Sequence, residues 1–270
     1  LGLVRDAISD HLFPGLSTIQ TRARYFLFVA WLLRDLERGN VQDDRLVLTL
    51  RQREVSLINA RLATDGETAD DRHSGLVGRE RRAATKRLPS TIYWGGIRRL
   101  GIYQGTGSLQ EYISDLPDLR RNRRWRTAST EDGEGSDGDS GATTWDPGLP
   151  APCAVFLTET DFELTREEAR YLNEKVLGLR TSSGHVCLLQ WMVRHLDAAT
   201  VEALETPWIL LQNDGRWPEL PASLRTELTH AYHFSLCARA LTGVYTRLLV
   251  ARRRDLDLSH YDELLADALV

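Results

Sequence analysis

The sequence predicts an all-α fold, a multi-helix globular domain around a buried central helix at residues 17–37. Three observations predict it. Apolar residues recur at helical spacing through most segments. No run alternates as strands do, and no βαβ spacing or internal repeat occurs. Nearly every position from Tyr25 to Leu33 is apolar. A helix with no side left for water has to be enclosed by other elements.

The elements follow in order. Leu3, Val4, Ala7, Ile8 and Leu12 make a short amphipathic helix that Pro14-Gly15 ends. Ser17 and Gln20 have capping-box spacing, so Ser17 is expected to start the central helix. Gly39-Asn40 stops it. A second long helix is expected at 43–63, with Leu48, Val55, Ile58 and Leu62 inward. A short helix is expected at 77–86. Another follows Pro89-Ser90 with Ser90 as cap, Ile92, Tyr93, Ile97 and Leu100 inward, and Gly95-Gly96 allowing close contact or a kink. Ser108–Leu116 is a further amphipathic piece. Residues 127–142 are acidic, glycine-rich and of low complexity, a composition that cannot bury enough apolar surface to fold. Thr165 and Glu168 form a second capping box, with Ala169, Leu172, Val176 and Leu179 as its helix's stripe. Helices are then expected at 185–196, 198–204 and 223–253, the last lined by Leu224, Leu228, Ala231, Phe234, Leu241, Tyr245 and Leu248. Ser259 is expected to cap a final helix.

The 270 residues are 42 % hydrophobic and 27 % charged, ordinary globular values. The net charge of −4 is unevenly spread, with 22 Lys+Arg against 15 Asp+Glu through Ala128 and 12 against 23 after it. Three divisions are expected on this basis. They are a basic helical half at 1–128, an acidic Gly/Pro-rich loop and connector at 129–152, and an acidic helical half at 153–270 packing on the first. Such asymmetry marks either a polyanion-binding half or two halves that attract each other. Three sparse cysteines argue against a disulfide framework and a zinc site. The uncharged apolar run between Arg24 and Arg34 is too short to span a bilayer. Leu1 is not a methionine and 262–270 still reads as helix, so both termini are expected to be truncated.

No P-loop, dinucleotide fingerprint or nucleophile elbow occurs. His230 and His233 are helix neighbours without further ligands in view, and Asp137 and Asp139 lack the closing glutamate of a calcium loop. No metal, cofactor or catalytic residue is therefore expected. Two constellations remain. Arg79, Arg81, Arg82, Lys86, Arg98 and Arg99 lie near Trp94 in the chain, and Arg123 and Arg124 flank Trp125. Such residues can neutralise phosphates and stack on bases, or the cations can pair with the acidic half and the aromatics be core. Arg22 and Arg24 sit early in the central helix, the wrong end for cations. With Asp6 and Asp10 they form either an anion site or a structural lock.

Val4-Arg5-Asp6-Ala7-Ile8-Ser9-Asp10, Leu12-Phe13-Pro14-Gly15 and Ser17 to Phe28 resemble a bacterial family, domain of unknown function 6361. Leu88-Pro89-Ser90, Ile92-Tyr93-Trp94, Gly96, Gly101-Ile102, His230-Ala231 and Phe234-Ser235-Leu236 fit it too. The resemblance implies a bacterial cytoplasmic protein whose gene neighbours are mobile-element and phage-defence genes. It carries over no activity. Two functions are expected to compete. One is a non-catalytic accessory or scaffold component of a DNA-associated complex, with partner proteins and nucleic acid as contacts. The other is a nucleic-acid-directed hydrolase or nuclease using His11, Arg22 and Arg24 beside Asp6 and Asp10.

Overall fold

A computed structural model describes residues 1–65, 75–81, 84–130, 144–181, 183–212 and 215–252, without the side chains of 64, 65 and 123–130. Among the described residues there are helices and turns and no strand, only an isolated antiparallel bridge between Tyr103 and Trp145. The helices are α1 (Gly2–Leu12), α2 (Tyr25–Arg38), α3 (Leu46–Asp65), α4 (Pro89–Arg99), α5 (Leu109–Thr130), α6 (Arg166–Leu177), α7 (Leu188–His195), α8 (Ala198–Ala203) and α9 (Ala222–Ala251). No helix among the described residues is long and apolar enough to cross a membrane. The chain forms two compact units, one from Leu1–Pro14 with Leu179–Val270 and one from Gly15–Gly178. Neither boundary falls in the 129–152 segment.

In the 15–178 unit α2 is enclosed as its composition demands. Tyr25 to Leu33 are all 7 % exposed or less, and α3, α4 and α5 pack around the helix. Its start differs from the expected Ser17. Ser17 and Gln20 do pair, Ser17 N–H donating to Gln20 Oε1 at 3.2 Å, but they close a separate turn. Gln20 Nε2 then donates to the Gly15 and Ile92 carbonyls, which spends this box on tying the turn to α4. The first amides of α2 bond instead to the carbonyls of Arg22, Ala23 and Arg24.

The neighbours show similar departures. In α3 the inward residues are Leu46, Leu50, Leu57 and Ile58, while Leu48 is 53 % exposed. Of the helix expected at 77–86, residues 77–81 form a turn, and 82 and 83 lie outside the described residues. Leu88, not Ser90, precedes the first turn of α4, and Pro89 occupies the position where no amide is needed. The Ser90 amide is bound by Glu54 of α3 at 2.7 Å, a cap supplied from another helix. Gly96 makes the close contact foreseen. A Cβ there would lie 2.5 Å from Phe26 Cε1 and 2.8 Å from the Gly15 carbonyl. Helix α5 runs well past Leu116, and its Arg120 is 8 % exposed. That guanidinium donates to the Leu36 and Val41 carbonyls and closes the C-terminal end of α2. Helix α6 opens with the complete Thr165/Glu168 capping box, although Ala169 faces out and Tyr171 faces in.

In the other unit α1 packs on α9, and Leu12, Leu188, Trp191, Leu210, Leu224 and Leu228 share one core. Helix α9 is as long as expected, but only Leu224, Leu228, Ala231 and Val250 on it are buried. The expected inward residues Leu241, Tyr245 and Leu248 are 55, 63 and 59 % exposed. The low-complexity loop, apart from its first residues at the end of α5, and the helix expected after Ser259 lie outside the described residues.

Candidate functional site

Arg24 is the most constrained cation at α2. It is 8 % exposed, yet it is the residue immediately before the helix, where the dipole disfavours a positive charge. Two carboxylates hold it. Its Nη1 bonds Asp161 Oδ1 and, at 3.2 Å, the Asp161 carbonyl, and its Nη2 bonds Glu168 Oε1 at 3.0 Å. Its Cζ lies 5.4 Å from the centre of the Phe28 ring. Glu168 serves twice, because its other oxygen accepts the Thr165 amide in the capping box of α6. The triad thus couples the starts of α2 and α6, and it pairs a cation of the basic half with carboxylates of the acidic half.

Asp6 and Asp10 take no part in that pairing. Asp6 bonds Arg5 at 2.7 Å on exposed α1, and His11 lies 3.5 Å from Glu227 of α9. These residues belong to one unit, and Arg22 and Arg24 to the other. Arg22 stays exposed, its amide donating to the Tyr93 hydroxyl and its guanidinium 5.7 Å from the Phe162 ring centre.

Beside Arg24 opens a cavity of about 570 Å³. Phe28, Trp31 and Phe156 form its aromatic floor, their ring centres 5.0–5.8 Å apart. Val155, Thr158, Glu159, Thr160 and Asp161 make its wall, with the free thiol of Cys153 at the edge. Nothing in the order of residues singled out this site, because α2 and the 153–161 turn are far apart in the chain.

The basic positions divide by burial. Arg81, Lys86, Arg87, Arg98 and Arg99 are exposed, and Arg79 is half-buried. Trp94 is 6 % exposed, which corrects its expected role as a stacking platform. Its ring lies 4.8 Å from Tyr103 and 5.2 Å from Tyr112, and its Nε1 donates to the Gly107 carbonyl. Trp94 is core. Arg82 lies outside the described residues, as do the side chains of Arg123, Arg124 and Trp125.

Glu54 is 1 % exposed, and burial pushes its pKa up to about 7 against the pull of the Ser90 amide and Arg51. A second buried network centres on Glu37, which accepts from the Tyr112 hydroxyl, Thr144 Oγ1 and Trp145 Nε1, each at 2.9 Å. Burial and the Glu37 charge hold the Tyr112 phenol well above its ordinary range. Both networks join elements, and neither Glu54 nor Glu37 lines the cavity beside Arg24, so they read as scaffold. Among the described residues no group of three or more His, Cys, Asp or Glu is placed to hold a metal.

One family model, described as a family of unknown function (DUF6361), matches residues 1–269. No curated protein and no solved structure matches the chain.

Proposed function

The chain belongs to the DUF6361 family, and for this member of it we propose a non-catalytic role. It is an accessory or scaffold protein of a DNA-associated, phage-defence-type complex in the bacterial cytoplasm. It docks an amphipathic helix of a partner protein and touches nucleic-acid backbone as a second contact. The observation that carries the reading is the open row on α9. Leu241, Val244, Tyr245, Leu248 and Leu249 are 47–63 % exposed and recur at three- and four-residue spacing. Such a row accepts the apolar face of another helix, ridges into grooves. Exposed Arg81, Lys86, Arg87, Arg98 and Arg99 supply the charge for phosphate.

The test is co-expression with the products of adjoining genes, followed by chromatography with light scattering. The wild-type chain is expected to co-elute with a partner, and the Leu241→Glu, Leu248→Glu double variant to elute alone. A complex that survives both charges overturns the docking site. In a parallel DNA titration, binding should fall steeply as salt rises. Cleavage of that DNA would instead establish the hydrolase reading.

A further inference from the structure

We infer that the helix received by the α9 row is an acidic one, with carboxylates flanking its apolar stripe. The inference rests on the docking role proposed above and adds the partner's chemistry. The row itself sets the size of the occupant. Leu241 to Leu249 rise about 12 Å along the helix axis, so one face of a helix of about three turns covers them. The opposite end of α9 is already spent, because Leu224, Leu228 and Ala231 pack in the core shared with α1.

The charges along this stretch have one sign. From Leu228 to Arg254 the sequence holds Arg239, Arg247, Arg252, Arg253 and Arg254 and no Asp or Glu. Arg247 lies three residues after Val244 and Arg252 four after Leu248. On a helix the first therefore borders the row and the second continues it. Both are exposed. A helix that lays its apolar stripe on the row brings its flanking residues within reach of these cations, as the charged flanks of a coiled-coil seam are. Carboxylates in those positions gain ion pairs, and lysines meet like charge. A second α9 does not fit this description, because it brings more arginines and no carboxylate along the same stretch. A lipid surface is the poorer match, since interfacial binding grows with the apolar area buried and about 12 Å of helix offers little.

Fluorescence anisotropy on the intact chain tests this with three labelled synthetic helices. They share one leucine stripe at three- and four-residue spacing and carry glutamate, glutamine or lysine on its flanks. The glutamate helix is expected to bind tightest, about fivefold over the glutamine helix, and its advantage should shrink as salt rises. Arg247→Glu, Arg252→Glu should reverse the order, so that the lysine helix binds best. Leu241→Glu, Leu248→Glu should remove binding of all three. If the three bind alike and all are lost in that last variant, the docking role stands and the acidic partner is overturned. If none binds, or binding survives Leu241→Glu, Leu248→Glu, the docking role falls too. Three further outcomes assign the row to another occupant and overturn the inference. Uptake by phosphatidylglycerol vesicles without binding of any helix assigns a membrane. A dimer in light scattering that Leu241→Glu, Leu248→Glu dissolves assigns a second copy. Tighter binding of the glutamate helix to a Leu264→Glu, Leu265→Glu variant assigns the chain's own acidic stretch at 255–269.

Discussion

At position 24 a positive charge has been taken out of water at the wrong end of a helix, and Asp161 and Glu168 are what make that tolerable. Glu168 is itself buried, with a side chain 6 % exposed. Removing the cation alone leaves a buried carboxylate with only the Thr165 amide to offset its charge. Arg24→Met is therefore expected to destabilise the chain by about 3–5 kcal/mol in urea unfolding. Adding Glu168→Gln, which still accepts the Thr165 amide, should recover part of that. A loss equal to the sum of the two single variants would show that the residues do not act together. Glu54 sets a pH dependence of the opposite kind to that of an ordinary paired carboxylate. Its folded pKa of about 7 lies above the ordinary 4.5, so the native state holds a proton that the unfolded chain releases. The stability from this group is fully present below about pH 4.5 and is lost as pH rises towards about 7, a span worth about 3 kcal/mol. Glu54→Gln keeps an acceptor for the Ser90 amide and should unfold later than the wild type at about pH 8. If the two have the same pH profile, Glu54 is not the group responsible.

At the scale of the element, local chemistry was legible wherever its partners were local. The capping box of α6 has both members within four residues, and the structure keeps it. The same spacing at Ser17 and Gln20 closed a turn instead, because Gln20 also reaches a carbonyl of α4. The amide end of α4 is capped by a glutamate 36 residues earlier, and the carbonyl end of α2 by an arginine 84 residues later. No pattern within a helix announces such pairings. The cavity was hidden for the same reason, since its floor and wall meet only in three dimensions. Helix α9 shows the converse, an apolar row correctly read as helical but wrongly read as buried. Periodicity reports that a face is apolar, not what covers it. The Leu241→Glu, Leu248→Glu variant is therefore expected to change unfolding free energy by only about 0.5 kcal/mol or less. A large loss of stability would mean that the row packs within the chain. At the α2–α4 crossing the tolerance is far smaller. Gly96→Ala drives a methyl into Phe26 and the Gly15 carbonyl and should cost about 1–3 kcal/mol, read as a lowered Tm.

Across the whole molecule, the two compact units do not follow the change of charge along the chain. Helix α1 comes from the basic half, yet it shares a core with residues 179 onwards. The 15–178 unit is one continuous stretch that carries its own enclosed helix, caps and aromatic networks. Expressed alone, it is expected to give a helical spectrum and a single cooperative unfolding transition. A gradual, featureless melt would show that it depends on the rest. The other unit is interrupted by all of those residues. On the ribosome, α1 leaves the exit tunnel well before its partner, because the surface of α9 that it needs emerges only after the intervening 164 residues, 15–178, have been made. Until then Ile8, Leu12 and Phe13 must wait without their neighbours, so a helix made ahead of the 15–178 unit finds its place only after that unit has been made. A nascent chain stalled before residue 222 should leave that leading segment open to protease while the middle of the protein already resists it.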